Sequence, residues 1–147
     1  MKKQDIYNIA LTYREAILRA KYNREFDRRD RMSNFPCGCC DDSCDLFAHY
    51  LYTIYGIYTK QRNGIYRDNN PDNTTNHAWL VMDDDIIIDI TADQFDFLPR
   101  DTEGVYVGKE NPFYRNLDRI QTYENYDIMQ NERLWNDYQI IMRGTVI

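Results

Sequence analysis

Four cysteines fall within Phe35-Pro36-Cys37-Gly38-Cys39-Cys40-Asp41-Asp42-Ser43-Cys44, and the chain has only two histidines, His49 and His77. A thiol attacks as its anion, and free cysteine, with a pKa of about 8.5, is mostly protonated near neutral pH. An imidazole oriented by a carboxylate supplies the missing base and countercharge. Such a set is present: Cys40 at the expected start of a helix, His77 opening the run Ala78-Trp79-Leu80-Val81-Met82, and Asp89 between Ile88 and Ile90. An acid inside an apolar run requires a buried or half-buried partner. The spacing predicts Cys40 as nucleophile, His77 as base and Asp89 as the group that orients it, with Cys39 and Cys44 as the other candidates for the nucleophile.

The four cysteines are too close together to staple distant segments, and neighbouring cysteines pair poorly, so they read as reduced thiols. Structural zinc sites draw on separated Cys/His pairs, a spacing absent here. No metal and no cofactor is therefore expected, and a thiol-rich metal-binding module is the competing class. The Asp83-Asp84-Asp85 run lacks the spaced oxygen ligands and bidentate Glu of a calcium loop and reads as a turn. His49 lies off the apolar stripe of its helix and is expected at the surface or an edge.

These residues need elements to carry them. Ile6, Ile9, Tyr13, Ile17 and Ala20 recur at helical spacing, which predicts a helix over 4–30. Pro36 and Gly38 then enforce a loop. A second helix is predicted from Cys40, with Asp41, Asp42 and Ser43 in its first turn, Leu46, Phe47, Tyr50, Leu51 and Ile54 inward and Gly56 as its stop. Strands follow over 57–61, 77–82 and 86–91, the last two joined by the Asp turn so that His77 and Asp89 share one end of a hairpin. Residues 62–76 have a loop composition that suits a lip over a site. A short strand over 104–108 and a closing helix over 123–142, with Ile128, Leu134, Trp135, Tyr138 and Ile141 inward, complete an α+β chain read as one domain over 1–147.

The motif Gly38-x-Cys40-x-Asp42 opening a helix, followed by a strand, by His77-Ala78-Trp79 and by Asp89 with Thr91, resembles the Cys-His-Asp core of the transglutaminase-like branch of papain-fold enzymes. The resemblance covers residues 34–95. It implies a papain/transglutaminase-like fold, in which the nucleophile's helix packs on an antiparallel sheet, and acyl transfer through a thioester. Peptidases, protein crosslinkers and glutamine deamidases all belong to that superfamily, and the motif does not choose among them. The backbone N–H of Cys40 is the expected oxyanion donor. Asn34 is a candidate side-chain donor, since papain-like peptidases carry a glutamine at similar spacing. Trp79 and Gln94-Phe95 are expected to pack around the site, Trp79 chiefly as core. A domain that has lost catalysis and binds proteins is a further alternative.

A formal charge of −6 opposes binding to nucleic acid, which needs clustered Lys and Arg on one face. The basic run Arg24, Arg28, Arg29 and Arg31 is interrupted by Glu25, Asp27 and Asp30 and reads as a solvated helix end. No stretch approaches the roughly 18 apolar residues of a membrane span, and the chain begins without an apolar signal core. A cytoplasmic location is expected, and export by a non-classical route would leave no readable signal. The acidic surface and polar loop point to a protein or peptide substrate; oligomeric state is left open.

Overall fold

The computed structural model describes residues 1–94 and 104–145. Helix α1 (Lys3–Tyr22) buries Ile6, Ala10, Tyr13, Ile17 and Ala20 along one face, as their spacing requires. It stops eight residues short of the predicted end. Arg24 adopts φ 57°, and the N–H groups of Asn23, Arg24 and Glu25 cap the carbonyls of Arg19, Lys21 and Ala20. No apolar residue continues the stripe at the next helical positions, so the chain turns away. A 3-10 turn, Arg31–Asn34, follows, with the Asp30 carboxylate accepting from the Met32 N–H at 3.0 Å.

Helix α2 (Cys40–Tyr55) starts at the predicted residue and ends at Gly56, whose φ of 68° is the left-handed C-cap conformation that glycine adopts without a Cβ clash. The sheet is five-stranded and antiparallel, in the order β4-β3-β2-β1-β5, from β1 (Thr59–Tyr66), β2 (Thr75–Met82), β3 (Ile87–Asp89), β4 (Tyr106–Gly108) and β5 (Asp118–Glu124). The α+β class and the antiparallel sheet agree with expectation. Three boundaries are corrected. Strand β1 runs to Tyr66, so residues 62–66 are strand and the polar connection shortens to the segment holding the 3-10 turn Pro71–Asn73. The predicted strand over 86–91 is β3 alone, Ile87–Asp89. The predicted closing helix over 123–142 splits into the end of β5, a 3-10 turn Ile128–Gln130 and helix α4 (Glu132–Met142), because Asp127 and Asn131 each cap a new start with their side chains.

The two faces of the sheet pack differently. Ala78 and Leu80 of β2, with Ile88 and Ile90, join the main core formed with α1, α2 and α4, which also contains Cys39, Cys40 and Cys44. Trp79 and Ile87 point to the other face, where Tyr114 of the short helix α3 (Pro112–Arg115) and Leu117 cover them. Side chains alternate along a strand, so β2 is buried on both sides. Among the described residues no helix is long and apolar enough to cross a membrane.

Candidate active site

His77 and Asp89 meet as the hairpin reading requires. Strands β2 and β3 pair through Leu80–Ile88 and Val81–Ile87, which sets Asp89 diagonally from His77 on the same face. The His77 Nε2 and Asp89 Oδ2 atoms are 2.6 Å apart, and both side chains are essentially inaccessible to water. The hydroxyl of Tyr114 donates to the same oxygen at 2.7 Å, while the Thr91 N–H donates to Oδ1 at 3.0 Å. Burial alone pushes the Asp89 carboxyl up, but the His77 ring and the Tyr114 and Thr91 donors win and hold it below the usual Asp value. Asp89 is thus a buried carboxylate with its lone pairs engaged.

The other ring nitrogen, Nδ1, lies 2.9 Å from Gln94 Oε1. The Gln94 amide orientation follows from its second bond: Nε2 donates to the Asn76 carbonyl at 3.1 Å, and a carbonyl only accepts. Oε1 therefore faces the ring and Nδ1 carries a hydrogen. A carboxylate faces Nε2, so each ring nitrogen has an acceptor opposite it. Trp79 stacks on the ring with centroids 5.7 Å apart, so the residue expected to pack around the site does so.

Cys40 reaches β2 from the helix side. Pairing of β2 with β3 ends at Leu80–Ile88, and beyond that end the Ala78 backbone N–H acts on the Cys40 sulfur in favour of its anion. Ala78 is the residue next to His77. The thiol itself points toward Asp41 Oδ1 at 3.9 Å. Burial first, then the Asp41 charge, pushes Cys40 up to about 12 against the opposing Ala78 N–H. Cys39 is pushed up to about 11, also chiefly by burial. Cys44 is buried and raised well above the usual thiol value, chiefly by burial, whereas Cys37 is exposed. At rest the Cys40 sulfur is a neutral thiol.

The structure thus brings His77, Asp89, Gln94 and Trp79 into one cluster on the Trp79 face of the sheet, whereas Cys40 packs into the main core on the opposite face, with Ala78. Asn34 is elsewhere: it is exposed and lines a cavity with Lys21, Arg24 and Ser33, and its side chain makes no hydrogen bond among the described residues. No Cys39 side-chain bond caps the first-turn N–H groups of α2. Phe95 lies outside the described residues. Tyr114 and Thr91 hold Asp89 in place; Thr91 stands in the Asp-x-Thr motif, but Tyr114 gives no signal at sequence level. A polar pocket of about 320 Å³ adjoins the cluster, lined by Asp41, next to Cys40, Asn76, next to His77, and Gly64, which pairs with His77 in the sheet. Among the described residues no group of three or more His, Cys, Asp or Glu side chains is placed to hold a metal ion. No family model matches this chain, and no curated protein or solved structure matches it either.

Proposed function

We propose that the chain is a cysteine-dependent acyl-transfer enzyme of the papain/transglutaminase-like kind, acting on an amide of a protein or peptide. The observation that carries the proposal is the buried His77–Asp89 pair, fixed by Tyr114 and Thr91, with Cys40 in the core across the strand, in the same cluster as Ala78, the residue after His77. A carboxylate with all its acceptors committed has one task toward the imidazole: to fix its orientation and favour its charged form.

In the proposed cycle the Gln94 amide leaves Nδ1, the Cys40 thiol gives its proton to solvent water, and the resulting thiolate takes the place opposite the His77 imidazolium. The sulfur attacks the amide carbonyl carbon, and the carbonyl π electrons move onto oxygen, facing the first-turn N–H groups of α2. As the C–N bond breaks, Nδ1–H gives its proton to the departing nitrogen, leaving a thioester and a neutral ring. That ring then takes a proton from water as the water oxygen attacks the thioester. Collapse releases a carboxylic acid and restores the thiolate–imidazolium pair. Peptide hydrolysis and side-chain deamidation differ only in which carbonyl is presented, and an amine in place of water gives transamidation.

One set of observations favours a second reading, a non-catalytic protein-binding domain: His77 has no exposure, Gln94 occupies Nδ1, and the Cys40 thiol sits far above the neutral range. Incubation with p-nitrophenyl acetate, followed by peptide mass spectrometry, separates the two. Acetylation of Cys40 in Gln94→Ala that slows at least tenfold when His77→Ala is added supports the enzyme. Acetylation confined to the exposed Cys37, unchanged by His77→Ala, supports the binding domain.

A further inference from the structure

The interrupted basic run does not continue α1. After Tyr22 the chain folds back, and Lys21, Arg24, Arg28 and Arg29 line a cavity of about 940 Å³ together with Ser33 and Asn34. The positive charges are unevenly committed. Arg29 pairs with Asp27 at 3.4 Å, and Lys21 donates to the Phe35 carbonyl at 2.7 Å. The Arg24 and Arg28 side chains make no hydrogen bond or ion pair among the described residues, although Arg28 feels the Asp27 charge. Arg31, the last member of the run, turns the other way to bond Asp42 at 3.1 Å.

Four cations against the single acid Asp27 give the wall a formal +3, in a chain whose overall charge is −6. Two nearby acids are paired away from this wall: Glu25 with Arg19 at 2.5 Å, and Asp30 with Arg133 at 3.0 Å. The carbonyl end of α1, which would repel an anion, is closed by the N–H groups of Asn23, Arg24 and Glu25. Arg24 is held in the left-handed conformation, φ 57°, which is uncommon for a residue with a Cβ. Guanidinium forks suit tetrahedral oxyanions, since two parallel N–H donors meet two oxygens of one phosphate. The Asn34 side-chain amide and the Ser33 hydroxyl on the same wall add neutral polar groups.

We propose that this cavity, walled by Arg24, Arg28 and Lys21, is a binding site for a phosphate-bearing ligand carrying two or more negative charges. The site is independent of the chemistry at Cys40. The net negative charge of the whole chain works against an extended polyanion such as nucleic acid. Two sources share this chemistry, a free phosphate compound and a phosphorylated lipid headgroup.

The test is titration calorimetry of the full chain with inorganic pyrophosphate. In parallel, sedimentation is followed with phosphatidylcholine vesicles with and without phosphatidylinositol 4-phosphate. The variants are Arg28→Gln and Arg24→Asn, the latter keeping a residue that tolerates φ > 0; melting temperature reports that each is folded. Saturable pyrophosphate binding that weakens at least tenfold in both variants supports the site with a free ligand. Sedimentation only with the phosphorylated lipid, lost in the same variants, supports it with a headgroup. Absence of both, or binding that neither variant changes, overturns it.

Discussion

His77 owes its orientation to Asp89, and Asp89 keeps its charge through donors from two other parts of the chain, the Tyr114 hydroxyl and the Thr91 backbone. Tyr114→Phe removes one of them while keeping the ring on Trp79. We expect a loss of about 1–2 kcal/mol in urea unfolding, the usual cost when a buried charged group loses a hydrogen bond. The sign of the pH effect follows from the lowered Asp89 value. A carboxyl held down in the folded state contributes stability above its unfolded value of about 3.9, and this contribution is lost as pH falls through the folded value. Tyr114→Phe should therefore shift the acid unfolding midpoint upward, and an unchanged midpoint would show that Tyr114 does not hold the Asp89 charge. The His77–Asp89 pair was legible in the sequence because two adjacent strands and a short turn fix which residues can meet. Tyr114 was not, because a helix of one turn leaves no periodicity and its contact is set only by folding.

Among the elements, α1 is tied to the stretch after β3 by one side chain. Arg14 is buried and donates to the Ile90 carbonyl at 2.7 Å, to both Asp93 oxygens at 2.9 and 2.7 Å, and to the Gly104 carbonyl at 3.3 Å. A Cβ on Gly104, at φ 87°, would collide with that guanidinium, so the glycine and the arginine fit each other. Asp93 precedes Gln94, and Arg14 therefore anchors the residue before the one that meets His77. Arg14→Leu leaves buried acceptors without a donor, and a loss of about 2–3 kcal/mol in thermal or denaturant unfolding is expected, discounted because Asp93 is partly exposed. A loss within error would show that the tie is replaced by water. Helix α2 was readable from Cys40 to Gly56 because its cap and its stripe from Leu46 to Leu51 agree, while Ile54, expected inward, is exposed in the last turn. Strand β5 was not. All seven of its residues are exposed, so it shows neither alternation nor a run, and it exists because β1 pairs with it. Residues 62–66 read as loop because they are polar and glycine-containing, yet all five pair with β2, and Arg62, Asn63 and Ile65 also pair with β5.

Across the whole molecule, the acidic surplus is drawn partly into the interior. Arg133 of α4 bonds Asp30 and Asp42 at 3.0 Å each and lies 3.6 Å from Asp137, so one guanidinium joins the loop before the 3-10 turn, α2 and α4. Three buried carboxyls around it leave a surplus, and Asp137 is raised to about 8 by burial, then by its bond to Asp30. Asp45 is raised to about 7, also chiefly by burial. A raised carboxyl acts opposite to Asp89: its contribution is full below the unfolded value of about 3.9 and is lost as pH rises through the folded value. We expect wild-type stability to decline from pH 5 to pH 9, and Asp137→Asn, which mimics the protonated acid, to recover on the order of 1–2 kcal/mol at the alkaline end. A variant with the same decline would place the titrating group elsewhere. The central claim concerns Cys40. Its test is the rate of iodoacetamide alkylation of each cysteine between pH 5 and 9, read by peptide mass spectrometry in the wild type, Gln94→Ala and Gln94→Ala with His77→Ala. The expected result is a slow Cys40 in the wild type, a Cys40 that reacts well below pH 8 once Gln94 is removed from Nδ1, and loss of that reactivity when His77 is also removed. A Cys40 that stays slow in Gln94→Ala, or reacts equally without His77, would contradict the pairing of this thiol with this imidazole.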